Sequence, residues 1–289
     1  RPSPAARSLP RKRAHAVSIL VPFVTHPSAV ARVQGIVHGL RNTNLPVTIL
    51  DVEKPEHQSE HLDMLASSYR PEGAVIVSLV PSPQQLSRFL DVGLCPVFID
   101  ADVAEFSRIF VDDQTGGRLA TDHLIKLGHR RIAFIGDIED GRFGFESSTK
   151  RRSGYREALN VVGYERRPEY DRIGPHGSEA SRGIAAELLS LAQPPTGIFT
   201  SSDTQALGVI EAAKEFGVRV PDELSVIGFD DIDIASYLGL TTVRHPLYES
   251  GLIAAELVIE HIRDPGCSPR RVEQELEVIV RSTTGPPPD

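Results

Sequence analysis

Four short stretches hold the side chains that could do chemistry. Asp230–Asp231–Ile232–Asp233 gathers three carboxylates directly behind the apolar run LSVIGF. Such a group can hold a divalent cation, or cap the next turn and leave one carboxylate facing a ligand, which is the simpler account. EHQSEH sets His57 and His61 four apart on a helix beside Glu56, Glu60 and Asp63. That spacing could clip a metal, but the solvated face of an amphipathic helix needs none. SSDT at 201–204 looks nucleophilic, yet no GxSxG elbow surrounds it, and a Ser or Asp ahead of a helix is first an N-cap. In TKRRSGYREAL, Arg151 falls at a helix start, where its charge opposes the helix dipole, which implies a partner, with solvated surface charge as the alternative.

Nucleotide cofactors are disfavoured. The run VSILVP is followed by PFVTHPS rather than GxGxxG, and GxxxxGK[ST] occurs nowhere. Neither an activated nucleophile nor a cofactor motif marks an enzyme. Cys95 and Cys267 fit no metal or disulfide spacing, which points to a reducing cytoplasm. No apolar run approaches the ~20 residues of a membrane span. The first fifteen residues contribute five positive charges and no acid, although the whole chain carries −8. A body that acidic repels DNA phosphates, so any nucleic-acid contact is expected at or before this leader.

The elements that position these residues alternate almost throughout. Strands are expected at 17–22, 47–52, 73–79, 96–100, 108–112, 131–137, 196–201, 224–230 and 276–281. Helices are expected at 28–42, 57–69, 83–92, 116–127, 150–162, 178–190, 203–216 and 247–263. Continuous Val/Ile runs mean strands buried on both faces, and strand–helix repetition with short loops means α/β architecture with doubly wound parallel sheets. Such sheets bind ligands outside the carboxyl ends of their strands. The segments there are 24–28, 78–82, 100–102, 112–115, 137–151, 201–203 and 230–233, rich in Asp, Ser, Thr and His with one conspicuous Arg, Arg151. Hydroxyls and carboxylates converging on a cleft suit a small polyol or sugar-like ligand.

Four segments in order, GGRLATDHLIKLGHRRIAFIGD, KRRSGYREAL, FTSSDTQALGVIEAAKEFGVRVPDELSVIGFDDID and LTTVRHP, together resemble the effector-binding core of the lactose-repressor (LacI/GalR) family of transcription regulators. The resemblance runs from the leader to about Thr283. It implies a periplasmic-binding-protein-like fold of type I, with two lobes joined by three crossovers and a small-molecule effector bound between them. The first lobe would take 14–129 plus 246–268 and the second 130–245 plus 269–285, with 1–13 a hinge-helix remnant and linker. It further implies a homodimer, a DNA-reading helix-turn-helix upstream of Arg1, and DNA-proximal hinge residues at Pro4, Ala5, Ala6, Arg7, Ser8 and Leu9. The expected protein is a cytoplasmic regulator, not an enzyme, with no cofactor, metal or membrane partner. The alternative is a periplasmic sugar-binding protein of a transporter.

Carried over position by position, the resemblance makes Arg151 and Asp230 effector contacts. Ser202, Phe145, Ser147 and His176 would line the cleft. After the first strand the family commonly reads NPFF; here HPSA places His26 and Ser28 at the ligand-facing positions. Ala101 stands where an Arg is common, and the chain has no Trp, so stacking platforms are sparse.

Overall fold

The computed structural model describes residues 14–67, 70–138, 143 and 145–288. The expected hinge residues Pro4 to Leu9 lie outside them. The chain forms two units and passes between them three times: one unit runs to Phe110 and resumes over Leu247–Gln274, and the other takes Val111–Pro246 and the chain from Glu275 onward.

The first unit contains β1 (Ala14–Pro22), α1 (Pro27–Leu40), β2 (Val47–Val52), α2 (Pro55–Leu65), β3 (Pro71–Val77), α3 (Pro83–Val92), β4 (Val97–Ile99) and β5 (Arg108–Phe110). After the return it adds α9 (Leu247–Arg263) and β11 (Arg271–Glu273). Its sheet has the order β11-β5-β4-β3-β1-β2, with every pairing parallel. Val17, Ile19 and Val21 in β1, Val75 and Val77 in β3, and Ile36, Ala254 and Val258 from α1 and α9 form one buried cluster. The order turns on β1, which sends one connection to β2 and has β3 on its other side, so the topological switch lies beyond Pro22.

The second unit contains α4 (Asp113–Lys126), β6 (Ile132–Asp137), α5 (Ser147–Val161), a 3-10 turn (Pro168–Tyr170), β7 (Asp171–Gly174), α6 (Ser178–Leu189), β8 (Gly197–Thr200) and α7 (Asp203–Glu215). It continues with β9 (Ser225–Asp230), α8 (Asp233–Tyr237), β10 (Thr241–Arg244) and β12 (Glu277–Ile279). The sheet order is β12-β10-β9-β8-β6-β7, parallel except for the antiparallel edge strand β12. Here the switch lies between β6 and β8, beyond Asp137 and Thr200. Two cores sandwich the sheet. Phe134, Phe199 and Phe229 of the sheet pack with Ala120 and Leu124 of α4 and Tyr155 of α5; Ala133, Ile198 and Val226 pack with Ala185 of α6 and Val209 of α7. The Tyr155 hydroxyl donates to the Ile132 carbonyl at 2.9 Å, and burial raises its pKa.

The expected lobe boundary after 129 moves to Val111. The reason is α4, whose backbone lies directly on α5. A Cβ on Gly117 would sit 2.0 Å from the Arg151 carbonyl oxygen, and one on Gly154 2.0 Å from that of Gln114. Only paired glycines allow an approach this close. At the other end, 269–274 belongs to the first unit because β11 pairs with β5.

His129 anchors the strand starts of the second unit. Its ring bonds the Thr196 and Ser225 hydroxyls at 3.0 and 2.9 Å, and the Gly285 carbonyl at 2.9 Å. Burial lowers the pKa of His129 and of neighbouring His123. A His with a depressed folded pKa contributes stability that is complete above its ordinary value of about 6.5 and fades as pH falls toward the folded value. Thermal unfolding of this unit should therefore move to lower temperature on acidification below about pH 6.5, with a smaller pH dependence in His129→Gln. A midpoint flat across that window would refute the assignment.

Candidate functional site

Arg151 organises a polar cluster at the carboxyl end of the second sheet. It lies in the second turn of α5 and is buried despite its charge. Its Nε donates to Asp113 Oδ1 at 2.8 Å and its Nη1 to the Ser201 carbonyl at 2.6 Å. The guanidinium carbon stands 3.6 Å from the centroid of the Phe229 ring, within cation–π range. Asp230 Oδ1 is 3.7 Å from Nη1. The partner implied by a charge opposing the helix dipole is thus Asp113, on the first turn of α4. The contact of α4 with α5 at the two glycines brings acid and base together.

Asp137, the last residue of β6, is the second centre. Its amide donates to Ser148 Oγ at 2.8 Å. Its Oδ1 accepts from Gln205 Nε2 at 2.9 Å and pairs with His176 Nδ1 at 3.1 Å. That hydrogen bond is the main reason the His176 pKa is raised, against the opposing pull of burial. Gln205 Oε1 in turn accepts from Ser201 Oγ at 2.7 Å. Ser202 is the N-cap of α7, its hydroxyl accepting from the Gln205 amide at 3.3 Å. SSDT therefore caps a helix, as its position before α7 predicts.

The three carboxylates after β9 divide their work. Asp231 accepts from Arg281 Nη2 at 2.6 Å and Arg244 Nε at 2.8 Å, tying the strand end to β10 and the C-terminal segment. None of the three caps the next turn: the N-cap of α8 is Ile232, with no side-chain cap bond. The capping expected of these carboxylates is therefore corrected to ion pairing for Asp231, because two arginines converge on it. Asp230 and Asp231 both have positive φ, 112° and 57°. Non-glycine residues seldom adopt such angles unless their surroundings impose them, and they concentrate at functional sites. The surroundings here are Asp203, fully buried, which accepts from the Ile232 amide at 2.9 Å and the Thr242 hydroxyl at 2.6 Å. Burial, followed by the negative field of Asp230, pushes its carboxyl well above the usual range. Among the described residues no group of three or more His, Cys, Asp or Glu is arranged to hold a metal.

In the first unit, His26 and Ser28 follow β1 at the start of α1. The His26 ring stacks on Phe23 at 5.0 Å, and the Ser28 carbonyl accepts from Arg32 Nη1 at 3.3 Å. Arg32 also pairs with Asp100, at the end of β4. Phe23, Ser78 and Asp100 have φ of 48°, 54° and 52°, so backbone strain gathers at the strand ends of this sheet as well.

The second unit brings Arg151, His176, Ser202 and Asp230 into one region, at the strand ends or on the helices that follow them. Phe145 is exposed and stacks on Phe143 at 5.2 Å. Ser147 opens α5, but the hydroxyl that holds Asp137 belongs to Ser148, one residue on. Asp113, Asp137, Gln205 and Phe229 were not among the expected contacts. Asp113 and Asp137 fall in the strand-end segments marked from sequence; only the tertiary contacts single them out.

Residues 121–284 match the family described as periplasmic binding protein-like domain. A stretch of 186 residues, 64% of this chain and 55% of the relative, is 34% identical to a probable HTH-type transcriptional repressor, ExuR, of Bacillus subtilis. The HTH-type transcriptional repressor CytR of Escherichia coli is 28% identical over 98% of this chain and 83% of its own. A solved LacI family transcriptional regulator from Enterococcus faecium, with bound ribose, superposes with a TM-score of 0.81 at 26% identity, covering 95% of this chain and 99% of that one. The sequence motifs, the two parallel sheets and these likenesses agree: the chain belongs to the LacI family of transcriptional regulators, of which it is the ligand-sensing core.

Proposed function

We propose that the core binds a small, uncharged or cationic effector rich in hydroxyl or amino groups through Arg151, Asp230, Asp137 and His176 of the second unit, with Phe145, Ser147 and Ser202 around them. One observation supports this above the others. Among the described residues Asp113, Asp137 and Asp230 stand around Arg151 and His176, an arrangement that offers acceptors to a ligand bearing donors. Ligand hydroxyls that donate to carboxylates and accept from a guanidinium meet both needs through charge-assisted bonds. The ribose in the Enterococcus relative is a ligand of this chemistry.

The regulator acts as a homodimer on DNA, through the hinge residues Pro4 to Leu9 and a reading domain ahead of them. Effector binding changes DNA affinity only by the difference in its affinity for two conformations of the dimer. This needs no catalysis, and no turnover of the effector is expected. Among the described residues no helix is long and apolar enough to cross a membrane.

A thermal-shift screen of neutral sugars, polyols and nucleosides tests the reading, because a bound ligand stabilises by mass action. Asp230→Asn should weaken the best hit by about tenfold or more, the size of a lost hydrogen bond to a charged group. Undiminished affinity in calorimetry would overturn Asp230 as a contact.

A further inference from the structure

A second polar site lies on the flank of the second unit. Asp171, which opens β7, stands in register with Phe134 in the middle of β6, whereas the cluster around Arg151 gathers beyond the strand's end at Asp137. Arg152, Tyr155, Arg156, Arg166, Arg167, Pro168 and Asp171 line a cavity of about 270 Å³ there. Arg152 follows Arg151 in the chain and, one position further round α5, pairs with Asp171 instead of the Asp113 side.

The charges in this cavity do not balance. Among the described residues four guanidinium groups face one carboxylate, and that carboxylate is already in use. Asp171 Oδ1 accepts from Arg152 Nε at 2.5 Å; Oδ2 accepts from Arg156 Nε and Nη2 at 2.8 and 2.6 Å. Arg167 turns one nitrogen to Gln193 Oε1 at 2.7 Å and packs over the Tyr170 ring. Arg166 is exposed at the rim. Each guanidinium has five N–H donors in a rigid fork, so more donors surround the cavity than Asp171 can satisfy. The Tyr155 hydroxyl is committed to Ile132, which leaves its ring as an apolar wall. Several like charges this close raise one another's energy unless an anion joins them.

We propose that this cavity is an oxyanion site that takes a phosphate group, either inorganic phosphate or the phosphomonoester of a small metabolite. Guanidinium forks match phosphate oxygens in bidentate geometry, and a dianion offsets the excess charge better than a single carboxylate. The volume is just below the usual span of ligand pockets, about 300–1,000 Å³, which suits a phosphate with a small body rather than a nucleotide.

The test measures stability and binding in titrations with sodium phosphate and with glycerol 3-phosphate, each up to about 10 mM and matched in ionic strength by sodium chloride. The wild-type chain should show saturable stabilisation that chloride does not reproduce. Arg166→Ala, at the exposed rim where the fold is indifferent to it, should weaken phosphate about tenfold, and Arg219→Ala, outside the cavity, should not. Tighter binding of glycerol 3-phosphate identifies a phosphorylated metabolite as the source; equal or weaker binding identifies free phosphate. Absence of saturable binding, or equal affinity in wild type and Arg166→Ala, would overturn the proposal.

Discussion

Arg151→Ala should unfold the second unit more easily by about 3–5 kcal/mol and abolish effector binding together, because it leaves buried charge uncompensated. Asp113 would lose its partner at 2.8 Å and the Ser201 carbonyl its donor at 2.6 Å, while Phe229 would lose the cation packed on its face. Arg151→Lys should recover part of the stability, since an ammonium can reach one acceptor, but not the fork that spans Asp113 and Ser201. Urea unfolding followed by circular dichroism, with calorimetry on the thermal-shift hit, reads both effects. A midpoint within experimental error of wild type would show that the guanidinium does not hold the site together.

Gly154→Ala tests the scaffold beneath that hub. In an ordinary helix interior alanine gains about 1 kcal/mol over glycine. Here the added Cβ would lie 2.0 Å from the Gln114 carbonyl oxygen and 2.6 Å from the Arg118 nitrogen. Both are backbone atoms, which cannot rotate away, so α4 and α5 must separate. We expect the sign to reverse, with a net loss of about 2–3 kcal/mol and weaker effector binding as Asp113 moves off Arg151. A stabilised Gly154→Ala would mean the two helices do not touch at this position.

The strands buried on both faces were legible because continuous β-branched apolar runs such as SILVP, GAVIV and RIAFIG, alternating with helical stretches, are the pattern of a parallel sheet covered on both sides. The strands that escaped were of another kind. β7 reads DRIG at a sheet edge, with Ile173 partly exposed, and β11 reads RVE at the opposite edge of the other sheet. β10 reads TTVR, and its two threonines are fully buried by hydrogen bonds that no pattern of hydrophobicity reveals. In the site, Arg151 and Asp230 stood out locally, one as a charge in the wrong place on a helix, the other as part of a carboxylate run. Asp113, Asp137 and Gln205 did not. Asp113 resembles any acid in a first helical turn, and Gln205 any surface glutamine, until the packing of α4 on α5 and the order β8-β6-β7 give them partners. Spacing along a chain carries no record of which strand ends become neighbours.

The touching backbones at Gly117 and Gly154 also bear on how the proposed effector would be felt. Side chains between two helices allow them to creep past each other as rotamers adjust, and a pull on one residue is then absorbed nearby. With carbonyl against α-carbon there is nothing soft to absorb it. The proposed effector, by drawing on Arg151, would draw on a plate of two helices, the longer about 20 Å from end to end, and would shift it as one piece. A tug at a single guanidinium would become displacement at the far ends of α4 and α5, in the manner of a lever.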